Sequence, residues 1–113
     1  MQKTPVKQGA VLKSALVFAA LGDATRLRLI TALCAGGAMS IAQLTSGTEL
    51  TRQGVTKHLL VLGGAGLVRD VKAGRERRWA FEPAQMEVAR RSMELIAQQW
   101  DQALSKLKKA VER

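Results

Sequence analysis

The stretch Leu50–Leu62, "LTRQGVTKHLLVL", sets Val55, Leu59 and Leu62 at helical spacing and Arg52, Gln53, Thr56 and Lys57 on the other side. Thr51 stands where a hydroxyl can cap the helix, which is predicted to run to about Ala65, with Gly66 at its C-terminal position. Such a helix keeps an apolar back and a polar front. By itself the front reads as an ordinary solvated surface. Its neighbours along the chain decide whether it is more than that.

Upstream, Ser40 and Gln43 form a capping box that opens a short helix, "IAQLTSG", closed by Gly47. Before it, Asp23 caps "ATRLRLITALC", which repeats Leu27, Ile30 and Leu33 until Gly36-Gly37 stops it. A first helix over Gly9–Leu21 shows a broad apolar face of Val11, Leu12, Ala15, Leu16, Phe18 and Ala19. Residues 1–8 are polar, carry Pro5 and read as a loose tail ahead of a single domain over 9–113.

Downstream the texture changes. "LVRDV" and "RRWAFE" flank "KAGRE", and Gly74 suits the turn of a hairpin, with Trp79 and Phe81 on one face of its second strand. Pro83 breaks that strand and fits the first turn of a last helix over about 84–111. The order helix, helix, helix, helix, hairpin, helix predicts a mainly α winged helix-turn-helix.

Composition bounds the function. At 113 residues the chain makes one domain, which hides only about two thirds of its chain surface, so a partner subunit would help it. Eighteen Lys and Arg against nine acids leave +9, which favours a polyanion such as nucleic acid. Its apolar runs fall short of the roughly 18 residues a membrane span needs, so no membrane partner is expected. With one Cys and no signal-like start, a cytoplasmic setting is expected. Cys34, near the C-terminus of its helix, reads as a buried thiol, because the dipole there disfavours a reactive thiolate.

"ALGDATRLRLITAL", "MSIAQLTSGTELTRQGVTKHLLVLGGAGLV" and "GRERRWAFEP" together resemble the ArsR-type (arsenic-repressor-like) winged-helix transcription regulators, over about Phe18–Pro83. The resemblance implies a homodimeric bacterial repressor that binds double-stranded DNA. Metal sensors of that family often carry two thiols near the start of the third helix, and the matching positions here are Ser40 and Ala42. Others use His on the last helix, which has none here. One Cys and one His far apart do not make a metal site, and no cofactor is expected. Gly63-Gly64 replace charged helix formers of the relatives, so the end of that helix is expected to fray.

With that fold, the front of the fourth helix acquires a chemistry. Its first turns lie nearest the base edges, where Arg52 can pair bidentately with guanine and Gln53 with adenine. Thr56 can meet a base or a phosphate, and Thr51 and Lys57 hold the backbone. His58 packs against the motif or donates to a phosphate. Arg26 braces the fold. On the wing, Lys72, Arg75 and Arg77 are placed to follow the backbone or enter the minor groove.

Along the last helix Met86, Ala89, Met93, Ile96, Trp100, Ala103 and Leu107 alternate spacings of three and four, a seam for a second helix. Pairing with the same helix and the first helix of another copy is expected. That arrangement would match an inverted-repeat operator and respond to an effector the residues do not name. A protein-interaction module on the same fold is the alternative reading. An enzyme would need converging titratable groups in a pocket, and no such set is visible.

Overall fold

The computed structural model describes residues 8–112. In order they form α1 (Gln8–Leu21), α2 (Ala24–Gly36), β1 (Met39–Ser40), α3 (Ile41–Ser46), α4 (Arg52–Gly64), β2 (Val68–Ala73), β3 (Glu76–Phe81) and α5 (Pro83–Val111). The tail expected over 1–8 falls mostly outside the described residues, and Gln8 already belongs to α1.

Short-range hydrogen bonds set the helix starts. Asp23 Oδ2 accepts from the Arg26 amide at 3.0 Å, and Thr51 Oγ1 from the Gly54 amide at 3.0 Å. At Ser40 the box is reciprocal: its Oγ accepts from Gln43 N at 3.1 Å, and its own N–H donates to Gln43 Oε1 at 2.9 Å. Each cap satisfies an amide that the helix itself leaves unpaired.

Helix α4 ends in a Schellman motif, with Leu67 N donating to Leu62 O and Gly66 N to Gly63 O, both at 3.0 Å. Gly66 takes φ +77°, and a Cβ there would stand 2.6 Å from Gln85 Cγ, so glycine is required for conformation and for space. Gly63 and Gly64, the pair expected to loosen the end of α4, lie within the helix. Both stay helical because this closing turn and the fully buried Leu62 anchor the last turn.

The sheet holds one more strand than a hairpin. Its order is β1-β3-β2, all antiparallel, with Met39 opposite Trp79 and Ser40 opposite Arg78. Ala73 pairs with Glu76 across a two-residue turn in which Gly74 takes φ +66°, as the first position of a type II′ turn requires.

The core gathers Val17, Leu29, Ile30, Leu33, Leu44, Val55, Leu59, Leu62, Leu67, Val68, Trp79 and Ala89, with Phe81 and Met86 against it. The packing of α2 departs from two expectations. On α2 the buried residues are Leu29, Ile30 and Leu33, which leaves Leu27 outside. The same rotation puts Cys34 on the exposed side, not in the core.

On α1 the inward line is Ser14, Val17 and Ala20, and Val11, Leu12, Leu16 and Phe18 point outward. The larger apolar face of α1 is therefore not the one its own chain covers. Ser14 Oγ meets Ser92 Oγ at 2.6 Å where α1 packs on α5, so each hydroxyl finds a partner in the contact.

Helix α5 outgrows the domain. Its 29 residues span roughly 43 Å at 1.5 Å per residue. The radius of gyration is 18.6 Å, against about 13 Å for a compact chain of this length. From Met93 to Glu112 every residue is exposed.

Candidate nucleic-acid interface

Helix α4 is fixed from behind. Val55, Leu59 and Leu62 are fully buried, and α3 packs against α4 in the helix-turn-helix arrangement. That anchoring turns Arg52, Gln53 and Lys57 to solvent, with Thr56 half-buried beside them. These four side chains line one open recess on the surface of the helix. Thr51 is exposed at the N-cap, its Oγ1 lone pair used by Gly54 and its hydroxyl proton free to donate. Thr56 spends its proton on the Arg52 carbonyl at 2.8 Å, which leaves its methyl and its acceptor lone pairs for a ligand.

His58 leaves this group. Its Nδ1 lies 3.4 Å from Arg26 Nη1 and 3.9 Å from Asp23 Oδ2, at the junction of α1 and α2. These contacts engage Nδ1 in packing against the motif and do not involve Nε2. The Asp23 carboxyl is held below its ordinary range, first by the hydrogen bond from the Arg26 amide and then by the charge of the Arg26 guanidinium.

The wing separates its cations into two kinds. Arg77 bonds Asp70 through Nε at 2.8 Å and Nη2 at 2.6 Å, and its guanidinium lies 5.2 Å from the centre of the Trp79 ring. Arg78 pairs with Glu76 at 2.7 Å and Arg69 with Glu82 at 3.2 Å. Lys72 and Arg75 make no ion pair among the described residues, and both are exposed beside the turn. Composition could not reveal these pairs. The turn could have, since a two-residue loop at Gly74-Arg75 puts Asp70 opposite Trp79 and diagonal to Arg77.

The residues expected to form the seam of α5 also divide. Ala89 is 2% exposed within its own chain and Met86 is half-buried against the same core, so these two hold α5 to the domain. Met93, Ile96, Trp100, Ala103 and Leu107 stand free, Trp100 at 63% exposure. Among the described residues no three His, Cys, Asp or Glu side chains gather as metal ligands would, and no helix is long and apolar enough to cross a membrane.

A short helix, a turn, a front-facing second helix and a basic hairpin define the protein as a winged helix-turn-helix of the nucleic-acid-binding class. Comparison with known proteins agrees: a helix-turn-helix domain model matches residues 21–71. The chain is 30% identical over 78 residues to the arsenic resistance transcriptional regulator ArsR1 of Pseudomonas putida, covering 69% of this chain and 59% of that protein. It is 40% identical over 77 residues to the transcriptional regulator CmtR of Mycobacterium tuberculosis, covering 68% and 63%. An ArsR-like transcriptional regulator from Rhodococcus superposes with TM-score 0.77 at 37% identity, over 89% of this chain and 94% of that one. The chain belongs to the ArsR-type family of DNA-binding transcriptional regulators, which is not a family of enzymes.

Proposed function

We propose that two copies of this chain pair through α1 and α5 and present their α4 helices to successive major grooves of an inverted-repeat operator, repressing the promoter they cover. The supporting observation is a coincidence of faces. The recess of Arg52, Gln53, Thr56 and Lys57 and the unpaired Lys72 and Arg75 of the wing are exposed, and so is the apolar stripe of Met93, Ile96, Trp100 and Leu107. Arg52 and Gln53 read bases, whereas Thr51, Lys57, Lys72 and Arg75 hold phosphates. Pairing along α5 sets the two reading helices about 34 Å apart, one turn of duplex.

The stripe needs a cover of its own kind. An exposed Trp, three aliphatic or thioether side chains and the outer face of α1 turn large apolar side chains to water, as interaction surfaces do. A second copy supplies the same surface with two-fold symmetry.

Control of the repressor does not run through a resident metal. The single Cys34 is alone on the outside of α2, and the single His58 is engaged by Arg26 and Asp23. The protein acts in the cytoplasm, where its operator is, and an effector of another chemistry or the protein's own abundance sets occupancy.

Sedimentation and fluorescence anisotropy on duplexes selected from a random library test this reading. A dimer whose affinity for the selected duplex falls steeply with salt is expected. A strict monomer, or a protein that selects no duplex, would replace it with an interaction module.

A further inference from the structure

Three helices meet at Arg26. Its amide closes the Asp23 cap at the start of α2, and its Nε donates to the Ala20 carbonyl in the last turn of α1 at 2.6 Å. Its Nη1 reaches His58 Nδ1 on α4 at 3.4 Å. The first side-chain bond satisfies a carbonyl that α1 cannot pair internally and sets a cation at the negative end of its dipole. The second is long, and as a hydrogen bond it requires Nδ1 to accept with the ring proton on Nε2, while Asp23 Oδ2 lies 3.9 Å from the same nitrogen.

We propose that Arg26, acting through His58, is the positioning residue that ties the DNA-reading helix to α1, so that the geometry of the paired α1 and α5 helices sets the angle at which α4 is presented. This rests on the DNA-binding reading of α4. Val55, Leu59 and Leu62 fix how deep α4 sits, but apolar burial is non-directional and tolerates small rotations. A hydrogen-bonded bridge anchored at both ends resists them, because a hydrogen bond weakens as its angle departs from linear. His58 lies only two turns beyond Arg52, so a small tilt at one is carried directly to the other.

The test uses the full chain, a duplex it selects from a random library, and a scrambled duplex of the same length. His58→Leu keeps the bulk and removes the acceptor, whereas His58→Asn offers an oxygen near the position of Nδ1. The Leu variant is expected to lose about tenfold on the selected duplex and much less on the scrambled one, with Asn recovering most of the loss. Adding Arg26→Met to His58→Leu should lower the affinity little further, because the bridge is already cut.

Equal losses on both duplexes, no recovery by Asn, or fully additive losses would overturn the bridge. Should the wild-type chain select no duplex, the reading of α4 falls, and ring-nitrogen NMR of His58 still judges the bridge. A ring protonated on Nε2 supports it, and one protonated on Nδ1 removes it.

Discussion

Helices α4 and α5 are both amphipathic, and they meet opposite fates. The inward side of α4 is buried by its own chain, down to zero exposure at Val55, Leu59 and Leu62, while Leu60 and Val61 beside it stay exposed. The apolar side of α5 is covered only as far as Ala89, and from Met93 onward none of the described residues hides it. One helix is held from behind so that its front is free to bind. The other is held at one end so that its back is free to bind. The same residue pattern therefore does two jobs, and what separates them is whether the fold reaches the apolar face.

The sharpest way to break that contrast is to shorten one apolar residue in each helix. Leu59→Ala should destabilise the protein by about 2–5 kcal/mol, because it opens a cavity in a packed core. Trp100→Ala should leave the fold intact by circular dichroism and weaken dimerisation, by about 2 kcal/mol or more if Trp100 is a centre of the interface. Chemical denaturation and sedimentation read the two effects separately. A Trp100 variant that unfolds like the Leu59 variant would make α5 part of the core and remove the contrast.

On the front of α4, Arg52→Ala should cost about 1–3 kcal/mol on the selected duplex and far less on random DNA. Anisotropy on both duplexes measures it, and equal losses would make Arg52 a phosphate contact.

The wing offers a finer comparison. Lys72→Ala or Arg75→Ala should each lower the log–log salt slope of binding by about one, since each removes one neutralised phosphate. Arg77→Ala should lower it less, because Asp70 already takes up that charge. Equal slopes for all three variants would mean that the Asp70 pair opens on the DNA.

The smallest effect lies in the backbone of α4. A Cβ on Gly64 meets nothing within 4 Å, so Gly64→Ala should raise stability by about 0.5–1 kcal/mol through the unfolded chain and leave operator affinity unchanged. A loss of stability in thermal melts would show that the last turn needs its glycine.

Much of this was legible from residue order alone where the interactions are local. The caps at Asp23, Ser40 and Thr51 join residues three apart, and the Gly74 turn needs only its own φ, so neighbouring letters suffice to reveal them. The front of α4 was legible for the same reason. Strand β1 was not, because Met39 and Ser40 find their partners at Trp79 and Arg78, far along the chain. On α1 periodicity picked out the apolar residues and the expected pairing gave that helix a partner, but which of them turn outward depends on the packing of Ser14, Val17 and Ala20. Cys34 was misplaced for a related reason: its helix was rotated by one residue's choice of which leucine turns inward.

Residue order alone carries the element order, the caps, the turn and the identity of the polar front on α4, because each depends on a backbone bond or a repeat within a few residues. It took the folded chain to show that Arg69, Arg77 and Arg78 are paired while Lys72 and Arg75 make no ion pair among the described residues, that His58 faces Arg26, and that the domain's own cover of α5 ends after Ala89. Those are properties of which surfaces meet, and meeting is settled by the packing of distant segments.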